Sequence, residues 1–470
     1  MPPSPKTAIA PARRCAYAVL RRVFERGAYA DRALQAEAKE LDTRDRALAM
    51  QLAYGAVQRC KTLDHLIVEL AERPAERLDA PVLAALRLGL YELSYLRGSP
   101  DYAVVADAVE LAKMHRPAGH GLVNAVLRRG AREGPALLGA LTDGTPEQAA
   151  LKHSHPEWIA RLLWDQLGAS GARALMSFDN EPGEVALRAN TLVTDASRLA
   201  AELPVATHGD PLLPEAVVLE GPLDLRSSPL WRAGAFLGQS RAAMLVARAL
   251  DPQSGERVLD LCAAPGGKST HLAALMQGSG EVVAVERDRR RAGVLARTAQ
   301  RLRAGAVRVE VSDAALARPE GARFDRVLVD PPCSGLGTLQ SRADLRWRVT
   351  PAGVAEMAKA QAAILAAGAG AVRPGGVLVY STCTISPIEN ERLIAAFLDS
   401  HSDFCLDDLA AELPALRLAA SGPAGAPVPG GAGAQGARAA EQAAARSRLV
   451  LTLPHRDRTA GFFIARLRRS

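Results

Sequence analysis

The sequence predicts a multi-domain chain: an all-α N-terminal bundle, a small α+β linker domain, and a C-terminal α/β Rossmann-like domain with a mostly parallel, doubly wound sheet. Three observations carry this prediction. Apolar residues recur at three- and four-residue spacing from about Ala8 to Glu133. From Gly255 onward, short β-rich runs alternate with helical stretches, the order of parallel strands joined by helical crossovers. The 470 residues give room for about three domains at ~150 residues each.

The helical region, residues 1–135, contains the runs CAYAVLRRVF, ALAMQLAYGAV, LDHLIVELAE, PVLAALRLGLYELSYL and HGLVNAVLRR, with breaks at Pro74, Pro81, Pro100 and Pro117. Residues 136–250 read as the linker domain. There HPEWIARLLWDQLG has the pattern of an amphipathic helix, EVALRANTL and EAVVLEG those of short strands, with Gly/Pro turns between them. Residues 251–470 hold the strand runs RVLDLC, EVVAVE, VRVEVS, RVLVDP and GVLVYSTC. Ligands of such sheets bind beyond the carboxyl ends of the strands, so the chemistry is expected here. The Pro/Gly/Ala-rich stretch 421–440 is expected to be a disordered loop, and RLVLTLPHRDRTAGFFIARLRR a hairpin returning to the sheet edge.

Composition narrows the class. With 48% hydrophobic and 23% charged residues, the chain matches a soluble globular protein and excludes global disorder and fibrous repeats. A net charge of +7 suits a polyanionic partner. Only seven of the 58 basic residues are lysine, and with abundant alanine this arginine skew reads as the mark of a GC-rich genome. The six cysteines, Cys15, Cys60, Cys262, Cys333, Cys383 and Cys405, form no C-x-x-C pair and no zinc-finger cluster with histidine. Neither a disulfide scaffold nor a metal site is expected. The N-terminus lacks the apolar core of a signal peptide, and the apolar stretch from Ala360 to Val372 is shorter than the ~20 residues of a membrane helix. A cytoplasmic, membrane-free monomer with reduced thiols is the expectation.

The loop after the first strand of the third region runs Cys262, Ala263, Ala264, Pro265, Gly266, Gly267, Lys268 into a helix. Small residues let its backbone approach a ligand, and the helix N-terminus offers free N–H donors to an anionic group. A triphosphate-binding P-loop would need glycine where Cys262 stands, and the dinucleotide G-x-G-x-x-G is absent from this loop. Glu286 ends the second strand, where a carboxylate can take ribose hydroxyls. Asp313 follows the third, where it can meet an adenine amino group, and Asp330 follows the fourth. Turn or helix capping is the alternative for each acid alone. The ordered set fits S-adenosylmethionine, and Lys268 is placed to answer its carboxylate or to steady the loop.

Asp330, Pro331, Pro332 and Cys333 lie just past one strand end, Thr382 and Cys383 just past the next. Neighbouring parallel strand ends converge, so both thiols can face one crevice. Such thiols suit cytosine methylation. Carbon 5 is a poor nucleophile until a thiolate adds to carbon 6 and makes it enamine-like. Asp330 near the ring nitrogen then has an electrostatic and general-acid role. The spacing does not say which thiol attacks.

DLCAAPGGK, DPPCSG and STC followed by ENE resemble the RsmB/Sun/Nop family of RNA cytosine-5 methyltransferases, and the resemblance runs over nearly the whole chain. LRLGLYEL, VVADAVELAKMH and LVNAVLRR resemble the NusB-like RNA-binding module. The resemblance implies a cytosine in 16S (small-subunit) ribosomal RNA as substrate and S-adenosylmethionine as methyl donor. It implies cofactor contacts at Cys262–Lys268, Glu286, Asp313 and Asp330, with Cys383 as nucleophile and Cys333 assisting product release. The chain departs from the family pattern at Glu286 and Ala460, where aspartate is usual, and at Ser240, where an acid is common. Two alternatives stay open: the same fold acting on transfer RNA or protein, and a non-enzymatic RNA-binding or ribosome assembly factor.

If basic side chains carry RNA binding, affinity for single-stranded RNA should fall with salt by a log–log slope of roughly 0.7 per phosphate contact. Titration at several salt concentrations checks this, and a flat response excludes a broad basic footprint.

Overall fold

The computed structural model describes residues 9–316, 323–416 and 446–470. The stretch 421–440 lies outside the described residues. The chain forms two compact units: Met1–Pro182 with Leu339–Arg348, and Gly183–Thr338 with Val349–Ser470.

The first unit is helical, as its periodicity predicts. Helices Pro11–Arg26, Ala30–Glu37, Thr43–Gln58, Cys60–Ala71, Ala80–Tyr95, Asp101–His115 and His120–Gly139 surround one apolar core. Local chemistry sets their ends. Asp42 accepts from the Asp45 N–H at 2.8 Å, and Pro81 occupies the first turn of its helix, where its missing N–H costs nothing. Gly27 (φ 64°) closes the first helix in the left-handed conformation. Where helices touch closely, the sequence has glycine: a Cβ on Gly55 would lie 1.9 Å from the Tyr91 ring. The unit continues past the expected boundary at 135 through helices Pro146–Lys152 and Glu157–Phe178, the latter broken at Gly168 (φ 70°).

Residues 339–348 complete this unit, which no local pattern announces. Trp347 Nε1 donates to the Val57 carbonyl at 2.7 Å, and the Ala30 N–H donates to Asp344 Oδ1 at 3.2 Å. The guanidinium of Arg346, fully buried, donates to Ser154 O at 3.1 Å, Asn180 Oδ1 at 2.9 Å and Asp179 O at 3.0 Å.

The second unit holds two sheets. Strands β1 (Val185–Ala189), β2 (Thr207–Asp210), β3 (Leu213–Leu219) and β4 (Phe236–Gly238) pair antiparallel in the order β2-β3-β1-β4. The expected linker domain is thus divided: its helix belongs to the first unit and its sheet to the second. The large sheet contains β5 (Arg257–Leu261), β6 (Glu281–Val285), β7 (Val307–Glu310), β8 (Phe324–Val329), β9 (Val372–Thr382), β10 (Phe404–Leu406), β11 (Val450–Leu451) and β12 (Phe463–Arg469). Its order is β10-β12-β9-β8-β5-β6-β7, with β11 paired to β12. The pairs from β9 to β7 are all parallel, the doubly wound core that the β-rich runs predict. The C-terminal run does return antiparallel against β9, but not at the edge. β10 covers its outer side, because Phe404 and Leu406 offer a further apolar strand to pair.

Strand order reverses between β5 and β8: β6 and β7 extend to one side, β9 to the other. Such a switch point opens a crevice at the strands' carboxyl ends.

Replacing Arg346 with leucine strands several buried carbonyls without a donor. The expected loss is about 3 kcal/mol or more, measured as a lower midpoint in urea unfolding; an unchanged midpoint would show that these bonds stabilise nothing.

Candidate active site

The loop after β5 folds tightly over the crevice. Cys262 (φ 65°) and Gly266 (φ 97°) take left-handed backbone conformations, and the Ala264–Pro265 peptide is cis. The left-handed φ of Gly266 strains any residue with a side chain, and a Cβ there would also press on Leu295 at 3.3 Å. The loop is held from both ends. Ala263 N donates to Val285 O at 2.9 Å and Arg291 Nη2 to Ala264 O at 2.9 Å. Below the loop, the buried Arg188 of β1 donates to Gln239 Oε1 at 2.7 Å, to Thr270 Oγ1 at 2.9 Å and to the Gly267 carbonyl. These bonds tie the small sheet to the first turn of helix Gly267–Leu275. Burial pulls the Arg188 pKa down to about 9.

The carboxylates occupy different environments. Asp260, near the end of β5, is buried and accepts from Ser269 Oγ at 2.6 Å. Desolvation pushes its pKa up to about 7, with Asp330 adding to the rise and Ser269 and Lys268 opposing it. Its Oδ1 has no hydrogen-bond partner. Glu286 is buried too, accepts from Asp288 N at 2.9 Å and faces Arg291 Nη1 at 3.5 Å. Asp313 is exposed, and its carboxylate accepts from Ala315 N at 2.9 Å, the geometry of an Asx turn. Asp330 is gripped from two sides, by Lys268 Nζ at 2.7 Å and Ser381 Oγ at 2.9 Å. Burial opposes the charge on Lys268, but Asp330 outweighs it and its pKa rises.

Beyond the ends of β8 and β9, Cys333 Sγ and Cys383 Sγ lie 3.2 Å apart. The Gly337 N–H donates to Cys383 O at 3.0 Å, and Gly461 N to Gly337 O at 2.7 Å. A Cβ on Gly337 would lie 2.0 Å from the Gly461 carbonyl oxygen, so these three backbone segments close only with glycine. The hydrogen bond to Cys383 raises the Cys333 pKa well above the ordinary thiol value, with burial and the charges of Glu389 and Asp330 adding to it. Cys262 is also held protonated: burial first, then Asp330, Asp260 and Glu286, push it up to about 12. Such a thiol is a poor nucleophile.

Known proteins match this arrangement along the chain. The profile of the family described as 16S rRNA methyltransferase RsmB/F matches residues 247–468, and that of the NusB family matches residues 10–132. A probable ribosomal RNA small subunit methyltransferase B from Synechocystis is 35% identical over 471 residues, covering 98% of this chain and 99% of that protein. The chain belongs to the RsmB/F family of 16S rRNA methyltransferases. A relative of the same name from Bacillus subtilis is 37% identical, covering 78% of this chain and 83% of its own. Among solved structures, that of PH0851 is 26% identical with a TM-score of 0.77, covering 98% of this chain and 99% of that one. A methyltransferase homologue from Pyrococcus horikoshii is 26% identical with a TM-score of 0.56, covering 70% of this chain and all of its own.

As an RsmB/F member the protein is a methyltransferase with an RNA partner, and S-adenosylmethionine is its cofactor. The crevice fits that molecule's chemistry. Helix Gly267–Leu275 presents its N-terminus to a carboxylate, and the unpartnered Asp260 Oδ1 suits a cationic donor. Of the residues singled out in the sequence, Lys268, Asp330, Cys333 and Cys383 converge on one place, and Lys268 meets Asp330. Sequence reasoning missed Asp260 as a polar group of the site, and missed Arg188 and Gln239. Gln239 belongs to the GQSRAAM segment, whose Ser240 caps helix Arg241–Leu250 by accepting from Ala243 N at 3.3 Å. No local signal marks Arg188; an arginine inside an apolar strand run was the only hint.

Asp260 links stability to pH. Its pKa rises from the ordinary aspartate value in the unfolded chain to about 7 in the fold, so the native state holds the proton more tightly. That contribution is complete below about pH 4 and fades as pH rises to about 7. Asp260→Asn cannot ionise, so its stability relative to the native protein should increase from pH 5 to pH 8 in cofactor-free unfolding experiments. A constant difference across that range would contradict the shift.

Proposed function

We propose that the enzyme methylates carbon 5 of a cytosine in 16S ribosomal RNA through a covalent adduct of Cys383 at carbon 6. The observation that carries this reading is the pair of thiols 3.2 Å apart beside Asp330. The family description and the relatives' names support the substrate, and the NusB match over residues 10–132 supports an RNA-binding role for the N-terminal helices.

In this reading Cys262–Lys268, Asp260, Glu286 and Asp313 hold S-adenosylmethionine. Bound there, it supplies an electrophilic methyl group for the activated carbon 5. The chain's own residues do the rest. The Cys383 thiolate, its proton lost to solvent, forms the sulfur–carbon 6 bond. Asp330, fixed by Lys268 and Ser381, lies against the ring nitrogen, which takes a proton from water as the adduct forms and returns it to water on elimination, and stabilises that protonated adduct. Loss of the carbon 5 proton to water restores the ring double bond and expels the Cys383 sulfur. Cys333 keeps its own proton and gives it to the departing sulfur, then regains one from solvent. With its proton retained, Cys333 is a poor nucleophile, and the family resemblance assigns the attack to Cys383.

Methyl transfer from labelled S-adenosylmethionine to 16S ribosomal RNA should yield 5-methylcytosine with the native protein and none with Cys383→Ala. Cys333→Ala should stall as a covalent RNA–protein complex visible on a denaturing gel. Label on another base, or full activity of Cys383→Ala, would overturn the proposal.

A further inference from the structure

Behind the two thiols lies a polar network that cofactor and base chemistry leave unused. Glu389 is fully buried. Its Oε1 accepts from Ser334 N at 2.8 Å and from Gln361 Nε2 at 2.9 Å, and its Oε2 accepts from Ser334 Oγ at 2.5 Å. The same Gln361 Nε2 donates to Pro332 O at 2.9 Å. Both neighbours of Cys333 in the chain are therefore anchored to Glu389 or to its partner. The turn after β9 joins the network through Thr384, whose Oγ1 lies 2.7 Å from Ser334 Oγ. From β9 itself, Tyr380 OH donates to the Glu389 carbonyl at 2.7 Å.

Every one of these partners is neutral. A carboxylate surrounded by neutral donors carries a desolvation cost that a glutamine of the same shape would largely avoid. What its three accepted bonds fix in place is the loop that carries Cys333. The Cys333 thiol and the Tyr380 hydroxyl are the neighbouring groups whose protonated forms the Glu389 charge favours.

We propose that Glu389 is the positioning residue of the thiol pair, a buried carboxylate that locks the Cys333 loop onto the Cys383 turn so that Cys333 can release the adduct made by Cys383. The inference rests on the two-thiol reading above. In the step concerned, the sulfur–carbon 6 bond breaks, its electron pair returns to the Cys383 sulfur, and that sulfur takes the proton from Cys333 Sγ. Glu389 holds the loop that keeps the donor at hydrogen-bonding distance from Cys383, without touching the RNA.

The test compares native protein, Cys333→Ala, Glu389→Gln and Ser334→Ala on 16S ribosomal RNA, reading turnover and covalent complex in each. Glu389→Gln should lose roughly tenfold to a hundredfold in kcat while accumulating covalent complex as Cys333→Ala does. Its KM for S-adenosylmethionine should stay within about twofold of native. Ser334→Ala, which leaves the charge but removes one of its anchors, should show a weaker form of the same partition and covers the case in which Glu389→Gln does not fold. A purely structural role would lower turnover and complex together, and that result overturns the proposal, as does unchanged turnover. Complex in Cys333→Ala but in neither other variant defeats the positioning role alone. Complex in none of the four, with no methylation by native protein, defeats the two-thiol reading and this inference with it.

Discussion

Strand β8 pairs in parallel with β5 on one side and β9 on the other, and the geometry of the site hangs on those two registers. Val329 stands opposite Leu261 and opposite Tyr380. The next residues out, Cys262, Asp330 and Ser381, therefore emerge side by side although they come from three distant stretches of sequence. A strand covered on both faces must be apolar throughout, as VLVD and VLVY are up to their last residue. Polar groups can appear only where the strands end, so the chemistry gathers there. Because side chains alternate with period two, a slip of one residue would turn Asp330 away from Lys268 and Ser381.

Once the strands have delivered these residues, buried polar groups fix their orientation. An unpaired buried donor or acceptor costs roughly 1–3 kcal/mol, so each network has in effect one low-energy arrangement. Arg188 satisfies the carbonyl and hydroxyl at the start of helix Gly267–Leu275. Asn390 bridges β9 and its following turn, with Thr382 Oγ1 donating to its Oδ1 at 2.6 Å and its Nδ2 donating to Thr384 O at 2.9 Å. The close backbone contact of Gly337 with Gly461 completes the frame. The thiols themselves contribute little to it; they are carried by a scaffold that is rigid for other reasons.

What the sequence made legible and what it concealed differ by the range of the contacts involved. The helical periodicity of the N-terminal region, the parallel strand runs, the small-residue loop at 262–268 and the convergence of Cys333, Cys383 and Asp330 all follow from local pattern plus the general rule for parallel sheets. The division at Pro182 does not, because the helices of 146–178 and the segment 339–348 join the first unit through bonds such as Arg346 to Asn180, across more than 150 residues. Strands β2 and β4 were missed for a simpler reason: four and three residues long, they are too short to show alternation. Asp313 was read for its place after a strand, and its observed bond to Ala315 is the capping role that such a position equally allows.

Two cysteines of identical intrinsic chemistry face different charges. Cys333 has the negative Glu389 and Asp330 near it, and both favour its proton. Cys383 lies close enough to Lys268 to help hold the ammonium in its charged form. Asp330 belongs to both fields, since it discourages ionisation of Cys333 directly while drawing Lys268 into the crevice. The two surroundings cannot be exchanged by swapping sulfurs, because the positive charge belongs to the helix after β5 and Glu389 to the turn after β9. The different surroundings of the two thiols thus follow from the sheet's connections, which residue type and spacing alone do not reveal.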